Sequence, residues 1–347
     1  MDGSHSLKDN ETGSVFPSNS SLVSPPLAAL FGKDITVTLY VLTLIAISLI
    51  GTVGNLLIIG ALLVHKQLRT LGNVFIGNLA ICDLSVSMFI IPLALAGVFH
   101  PEFFIRHRTV CEIISHLWLF SLNGSYLSIP AIAVNRYIAI CYGTLYPKIY
   151  NKKLIVLNMV IFWAVCATFL PPNIFGYSLR VDAFNTKIYS CSAYSFSFLY
   201  TANLPFLIYF LIAGICFPIV MIFISYCHIF IFAKRSKRRL ERYSSSQQSV
   251  IKSSDMRVLK SISIIMIMFV LLWSPFLVVV VLDFSGMWPR WSYLLATALV
   301  FSNSSINCIV YAASNPSFRE GYVLFVKKVC VCMFGQSLKP QYPPVSA

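Results

Sequence analysis

Asp83 is the residue whose setting most strongly suggests chemistry, because it is the only acidic side chain deep inside a long apolar run of the sequence. Polar groups at the centre of a membrane are costly, so they need partners and often mark functional positions. An anion among hydroxyl and amide groups favours a sodium or water site, and the same network would pin helices together. Polar side chains lie at matching depths in other apolar runs: Asn55, Ser125, Asn303, Ser304 and Asn307.

Charges of opposite sign lie at the inner ends of two other runs. Arg136, in the triplet Asn135-Arg136-Tyr137, lies near the end of the third run, and Asp255 opens the sixth. An ion pair between Arg136 and Asp255 would hold two helix ends together. Basic residues are also common at helix ends that face lipid headgroups, so position alone leaves both interpretations open.

Seven long apolar segments position these side chains. Apolar residues make up 57% of the 347 residues and charged residues only 11%, which is too little charge for an ordinary soluble surface. A bilayer core about 30 Å thick needs about 20 apolar residues in a helix. Because the backbone in lipid must satisfy its own hydrogen bonds, each segment is predicted to be a helix rather than a barrel strand. The segments are 37–64, 74–98, 110–141, 154–174, 200–233, 258–282 and 291–313.

The distribution of basic residues predicts an extracellular N-terminus and a cytoplasmic C-terminus. The predicted organisation is an outer tail over 1–36, a seven-helix membrane domain over 37–313 and an inner tail over 314–347, with a polar, mobile loop over 234–257. Asn10 and Asn19 open glycosylation triplets, which agrees with an outer tail. Of the 26 lysines and arginines, only seven fall outside: Lys8, Lys33, Arg106, Arg108, Arg180, Lys187 and Arg290.

Two cysteines are predicted to form a disulfide. Cys111 and Cys191 are the only two of the ten cysteines that lie clearly on the outer, oxidising side. Their bond would tie the second outer loop to the third helix. The sequence has no closely spaced cysteines and histidines of the kind that bind zinc.

The motifs together resemble rhodopsin-like (class A) G-protein-coupled receptors over nearly the whole helical region. Each motif is common alone, but all of them occur in order and in the expected segments. They are Gly54-Asn55, Leu79-Ala80-Ile81-Cys82-Asp83, Cys111, Asn135-Arg136-Tyr137, Trp163, Pro218 with Tyr226, Phe269 with Trp273-Ser274-Pro275, Asn307-Cys308-Ile309-Val310-Tyr311 and Phe318-Arg319.

This resemblance implies a fold and a set of partners. The fold is an all-α seven-transmembrane bundle with a short amphipathic eighth helix on the inner leaflet, where Cys330 and Cys332 are palmitoylation candidates. The partners are an extracellular ligand, the lipid bilayer of the plasma membrane, heterotrimeric G proteins and arrestin. No cofactor is implied beyond an allosteric sodium ion at Asp83, Ser125, Asn303 and Asn307.

The resemblance also implies how the inner end switches. Ligand binding would let the sixth helix swing outward, so that Arg136 leaves Asp255 and a G-protein helix enters the cleft. Tyr226 and Tyr311 would support the active arrangement. Asn135 replaces the acid usual in this motif, and a rise in basal activity is one expected consequence.

Within this class the sequence is most similar to melatonin receptors. Asn135, Cys308 and Leu170-Pro171-Pro172-Asn173 carry that likeness, whereas Gly214 stands where the subfamily has a histidine. Trp118 and Phe301 stand where amine receptors have an aspartate and opsins a lysine, which disfavours an amine and excludes a retinal Schiff base. An apolar, aromatic lining suits a small neutral or lipid-like ligand. The predicted lining is Trp118, Leu122, Asn173, Phe210, Trp273, Phe276 and Phe301.

Three other functions remain as alternatives. A peptide ligand would suit a wide, charged outer mouth, which Arg106, Arg108 and Arg180 leave open. A transporter would need polar residues along a pore, and a membrane enzyme would need clustered acids, histidines or cysteines. His116 and His228 are single, and one buried acid is too few for either of these last two.

Overall fold

The computed structural model describes residues 34–168, 184–191, 208–209, 212–213, 216–242, 253–283 and 286–334, with backbone alone at 236–242, 253–262 and 334. The eight principal helices follow the chain in order. They are α1 (Ile35–Val64), α2 (Leu71–Phe99), α3 (Arg108–Cys141), α4 (Lys152–Thr168), α5 (Phe217–Arg242), α6 (Ser253–Leu282), α7 (Arg290–Ser314) and α8 (Pro316–Phe334).

The transmembrane prediction is confirmed. Among the described residues, six helices are long and apolar enough to cross a membrane: α1, α2, α3, α5, α6 and α7. The described part of α4 covers 17 residues, and the outer part of its predicted span lies outside the described residues. Helix α8 follows α7 directly, and the Asn315 side chain caps it by accepting a hydrogen bond from Ser317 N at 3.1 Å.

The loop predicted over 234–257 is wrong at both of its ends. Helix α5 continues to Arg242, and α6 already begins at Ser253. Lysine and arginine are good helix formers, so a helix leaving the membrane continues through them. Hydropathy marks where the lipid ends, which is a different point from where a helix ends.

Helix α2 is interrupted by a π-helical turn at Val86–Ile90. Pro92 follows this turn, and a proline inside a helix removes a hydrogen bond and crowds the preceding turn. The wider π turn accommodates that crowding. The turn lies just beyond Asp83, so it sets the direction of the outer half of α2.

The described residues form two large buried cores, with α7 at the centre of the bundle, and a small third cluster around Cys111 and Cys191. Over its apolar window α7 is 72% buried, against 22% for α5 and 28% for α6. The outer core contains Trp118, Ile188 and Phe301, and the inner core contains Phe269 and Tyr311. Large apolar side chains such as Leu49, Phe223 and Val270 face outward, as lipid-facing positions require.

A short β-hairpin lies over the outer end of the bundle. Strand β1 (Phe184–Asn185) pairs antiparallel with β2 (Ser190–Cys191), with Phe184 opposite Cys191. The turn between the strands places Tyr189 at a positive φ of 52°. This hairpin was not predicted from the sequence, because two-residue strands are too short to show an alternating pattern.

Candidate functional site

A fully buried polar cluster lies at the middle of the bundle around Asp83. Ser125 Oγ donates to Asp83 Oδ1 at 2.8 Å, and Asn307 Nδ2 donates to Oδ2 at 2.7 Å. Asn55 Nδ2 joins α1 to α7 by donating to the Ser304 carbonyl at 2.8 Å. The structure therefore brings together residues from α1, α2, α3 and α7 that the sequence placed at one depth.

The same cluster contains oxygen atoms whose hydrogen-bonding capacity is unused. The side-chain oxygens of Asn55, Asn303 and Asn307 are buried and have no partner among the described residues, while Asn303 Nδ2 donates to Ser125 Oγ at 3.5 Å. Buried acceptors without donors are costly. A hard cation takes carboxylate, carbonyl and hydroxyl oxygens, so this set of side chains fits a sodium ion.

Two extensions of this network were not predicted from the sequence. Asn78 Nδ2 donates to Ser128 Oγ at 2.9 Å, and Ser87 Oγ donates to the Asp83 carbonyl at 2.9 Å. Ser48 Oγ then donates to the Ser87 carbonyl at 2.7 Å. Serines within apolar runs give this signal only weakly, because many of them bond to their own helix.

The predicted ligand-lining residues divide between the two cores. Trp118 and Phe301 pack in the outer core with ring centroids 5.5 Å apart, and Leu122 and Phe276 pack against them. Trp273 lies deeper, against the inner core, and its ring centroid is 6.1 Å from that of Phe276. Asn173 and Phe210 lie outside the described residues.

Unpaired polar atoms occur within the outer core. Trp118 Nε1 and Thr297 Oγ1 are buried and have no hydrogen-bond partner among the described residues. Thr297 lies one helical turn before Phe301, so both occupy the same face of α7. Trp118 Nε1 and Thr297 Oγ1 are therefore polar groups whose hydrogen-bonding capacity is unused among the described residues. Thr297 was missed because a single threonine in an apolar run gives no distinctive signal.

The hairpin packs against the outer core. The predicted disulfide is present and joins Cys191 of β2 to Cys111 of α3. Ile188 in the hairpin turn is only 2% exposed and belongs to the outer core. Its carbonyl accepts a hydrogen bond from Tyr40 of α1 at 3.3 Å. The hairpin segment 184–191 of the second outer loop is thus part of the packed structure.

A polar latch, formed by Lys187, Tyr293 and Asp283, ties the hairpin to α6 and α7. Lys187 Nζ donates to the Gly286 carbonyl at 2.6 Å and to Tyr293 Oη at 3.1 Å, and Tyr293 Oη donates to Asp283. Burial alone would raise the pKa of Asp283. The bonds from Tyr293 and the Met287 amide, with the nearby Lys187, outweigh burial and hold that pKa below its ordinary 3.8.

A second set of contacts reinforces the latch from Arg290 at the start of α7. Its Nη2 donates to the Thr186 carbonyl at 2.9 Å. Its guanidinium also lies 4.5 Å from the centre of the Tyr189 ring, a cation–π contact. Lys187 and Arg290 were assigned to the outer side by charge counting alone, and their partners were not predicted.

The inner end of α3 makes contacts that were not predicted from the sequence. Arg136 Nη2 donates to Asn73 Oδ1 at 2.6 Å. The structure describes only the backbone of Asp255, the partner expected for Arg136. The buried Asn135 donates to Tyr146 Oη at 3.4 Å. These contacts join α3 to the first and second inner loops.

Three tyrosines predicted to take part in switching also lie at the inner end. Tyr137 Oη is 2.9 Å from His228 Nδ1 of α5, so His228, expected to lack a partner, has one. Tyr226 lies near Ser263, Tyr311 and Arg136. Tyr311 is buried, and its ring stacks on Phe318 of α8 at 4.7 Å.

The predicted modification sites fall at the ends of the chain. Cys330 and Cys332 are free and exposed on α8, an arrangement compatible with acylation. Asn10 and Asn19 lie outside the described residues.

Comparison with known proteins relates this architecture to one receptor family. The family model described as 7 transmembrane receptor (rhodopsin family) matches residues 54–311. Melatonin receptor type 1A-A of Danio rerio is 29% identical over 334 residues, which cover 92% of this chain and 90% of that relative. Melatonin receptor type 1B of Homo sapiens is 29% identical over 285 residues, which cover 80% of this chain and 75% of that relative.

Proposed function

The chain belongs to the rhodopsin family of seven-transmembrane receptors, and from this we propose that it couples a small, neutral, extracellular ligand to heterotrimeric G proteins. Proteins of this family are receptors and not enzymes. The observation that carries the ligand class is the outer core, which is apolar, contains the rings of Trp118 and Phe301, and lies beside neutral hydrogen-bonding groups without partners among the described residues.

The chemistry of the outer core argues for a ligand without charge. The buried carboxylate that borders this core, Asp283, already accepts a hydrogen bond from Tyr293 and lies near Lys187. A cationic ligand would have to disrupt these contacts to gain a counter-ion, which is costly. Trp118 Nε1 donates and Thr297 Oγ1 donates or accepts, so a carbonyl, amide or ether group on a flat molecule fits them best. Melatonin-type ligands are one such class, which the similarity to melatonin receptors supports.

Signal transfer to the inner end has a continuous packed route. The ring of Trp273 is 5.5 Å from Phe269 and 6.3 Å from Tyr126. A ligand that displaces Phe276 therefore acts on Trp273 and on the straightness of α6 at Pro275. Movement of the inner end of α6 would expose Arg136, Tyr226 and Tyr311 to a G-protein helix, and arrestin would use the same cleft.

We also propose a sodium ion in the cluster around Asp83. The unused oxygens of Asn55, Asn303 and Asn307 and the bonded Ser125 support this site, since together with the carboxylate they supply hard donors. The ion would stabilise the inactive arrangement by holding α2, α3 and α7 together.

The cellular placement completes the proposal. The family and its spans make the chain a multi-pass membrane protein. We place it in the plasma membrane with the N-terminus outside, because basic residues concentrate on the opposite side. Glycans at Asn10 and Asn19 and acyl groups at Cys330 and Cys332 agree with this orientation.

The test uses the full-length receptor in nanodiscs with purified G-protein heterotrimers, with nucleotide exchange as the readout. The ligand panel contains neutral indole amides, primary amines, fatty-acid amides and peptides. The proposal expects activation by a neutral member. Thr297→Val, which removes a polar atom and keeps the shape, and Trp118→Phe, which removes the N–H group but also shortens the ring system, should each weaken its potency at least about fivefold, since a net hydrogen bond contributes about 1 kcal/mol.

A peptide agonist is the alternative that this panel also examines. The similarity to melatonin receptors favours the small ligand. Activation by peptides alone, or equal potency on both variants and the wild type, would refute the ligand assignment.

A further inference from the structure

A cavity of about 560 Å³ lies near the outer end of the bundle. It is bounded by the outer half of α2, the short helix Pro101–Arg106 and the first turns of α3. Its floor is the small third cluster, in which Phe104 and Ile114 are buried and Leu93 and Ala96 pack against them. This cavity is termed the outer groove, and its volume is typical of small-molecule sites.

The floor of the outer groove is fixed from behind. Cys111 belongs to the same cluster, and its disulfide to Cys191 ties the floor to the hairpin. The ring of Phe104 stacks on Phe184 of β1, with centroids 5.8 Å apart and planes 8° apart. Because these contacts exist without a ligand, the groove is preformed, and binding requires little ordering of the protein.

The open side of the groove faces the lipid. Phe103 and Val110 line the groove and are exposed. Ile113 and Leu117 lie on the same face of α3, one and two helical turns after Val110, and they are exposed as well. Since α3 crosses the membrane, this face meets the acyl chains of the outer leaflet. A lipid molecule can therefore enter the groove without passing the hairpin.

Polar side chains line the groove at one end only. His100 and Glu102 follow the membrane span of α2, which ends at Phe99, so they lie at the level of the lipid headgroups. His100 Nδ1 is 3.7 Å from Glu102 Oε1, and the other side chains that line the groove are apolar. A carboxylate accepts a hydrogen bond from a hydroxyl group but repels a phosphate. The groove thus suits an apolar lipid that ends in a single hydroxyl group.

We propose that the outer groove binds a sterol, whose rings lie over Phe104 and Ile114 and whose hydroxyl donates to Glu102. An acyl chain would lose the rotational freedom of many bonds in a fixed groove, whereas fused rings lose almost none. The site is separate from the outer core and does not depend on the proposed coupling to G proteins. A bound sterol stabilises the folded receptor, since it binds a surface that only the folded state has.

Photolabelling of the full-length receptor in phosphatidylcholine nanodiscs tests this site. The probe is a 3β-hydroxysterol that carries a diazirine, and mass spectrometry locates the label, which we expect within residues 93–114. Ala96→Leu fills the floor of the groove and should lower labelling at least about fivefold. Ala164→Leu is the matched control, because Ala164 is an exposed residue of α4, and its labelling should equal that of the wild type. Equal labelling of the two variants would overturn the proposal.

Competition with unlabelled sterols tests the hydroxyl contact. The 3β-hydroxysterol should displace the probe from the wild type about fivefold more effectively than its methyl ether, which cannot donate a hydrogen bond. Glu102→Ala should abolish this preference. The mirror-image sterol changes the bilayer in the same way as the natural one but does not fit a chiral groove, so it should compete poorly. A preference that persists in Glu102→Ala, or equal competition by the mirror image, would refute the assignment.

Thermal melting provides a readout without a probe. The sterol should raise the melting temperature of the wild type and of Ala164→Leu, but not that of Ala96→Leu. Labelling is compared only for protein that melts cooperatively, so that a folding defect is not counted as lost binding. A phosphatidylcholine with a diazirine on its acyl chain identifies the competing occupant. If it labels residues 93–114 and the sterol does not displace it, the groove holds a phospholipid and the sterol proposal is wrong.

Discussion

Substituting Lys187 with methionine should loosen the hairpin that closes the outer end of the bundle. Methionine keeps much of the length of the side chain but removes the ammonium group. The change deletes the bonds to Gly286 O at 2.6 Å and Tyr293 Oη at 3.1 Å, and the cation–π contact with the Tyr293 ring at 4.4 Å. Each bond to a charged group contributes about 1.5–3 kcal/mol when buried. Since Lys187 is partly exposed, solvent screening reduces the total to about 2 kcal/mol.

A loss of about 2 kcal/mol corresponds to roughly a 30-fold rise in the opening of the hairpin. Hydrogen–deuterium exchange with mass spectrometry, on a peptide covering residues 184–191, measures that opening directly. We expect exchange at the Ile188 amide to accelerate about 10- to 30-fold, while the Cys111–Cys191 disulfide keeps the loop attached. The exposed Arg106 is the control: Arg106→Met should leave exchange in this peptide unchanged. An acceleration below about threefold, or an equal effect of both substitutions, would refute the latch.

Three further predictions concern pH, sodium and packing. The pKa of Asp283 is lowered below 3.8, so the stabilisation that this carboxylate gives the latch is complete above pH 3.8 and is lost as the pH falls through the lowered pKa. Hydrogen exchange in the hairpin, corrected for the intrinsic exchange rate, should therefore be constant from about pH 5 to 8. A transition within that range would contradict the assignment. Asp83→Asn should abolish the sodium dependence of ligand affinity. If the ligand affinity of this variant still fell when sodium chloride replaced choline chloride, the proposed cation site would be refuted. Gly54→Ala should destabilise the receptor by about 1–3 kcal/mol and lower its melting temperature, because the new β-carbon would lie 2.0 Å from Cys308 Sγ. Gly77→Ala, whose β-carbon would be 3.4 Å from its nearest neighbour, should be neutral or stabilising, and equal melting of the two variants would refute the packing argument.

Helix positions could be predicted well from the sequence because hydropathy reports the membrane directly. Helix α1 was predicted over 37–64 and spans Ile35–Val64, and α7 was predicted over 291–313 and spans Arg290–Ser314. The polar cluster around Asp83 was predicted for a related reason, since polar residues in lipid must find one another. The position of a residue within its apolar segment indicates its depth in the membrane, so polar residues at equal depth could be grouped from the sequence alone.

Contacts made by loops could not be predicted in this way. The hydrogen bond between Arg136 and Asn73 was not predicted, because the position of Asn73 depends on a 3₁₀ turn at Leu71–Asn73. Lys187 could be assigned a side of the membrane but not a partner, because Tyr293 is 106 residues away in the chain. Such contacts depend on the folding of short irregular segments, for which periodicity carries no information.

The burial of α7 has a consequence for how the bilayer acts on this receptor. Changes in bilayer thickness or lateral pressure act on surfaces that face lipid, and among the described residues these lie mostly on α1, α4, α5 and α6. Helix α7 is shielded by protein and carries Thr297, Phe301 and Asn307 on one rigid rod. Lipid composition should therefore alter how readily the outer helices move, while the alignment between the outer core and the polar centre stays constant.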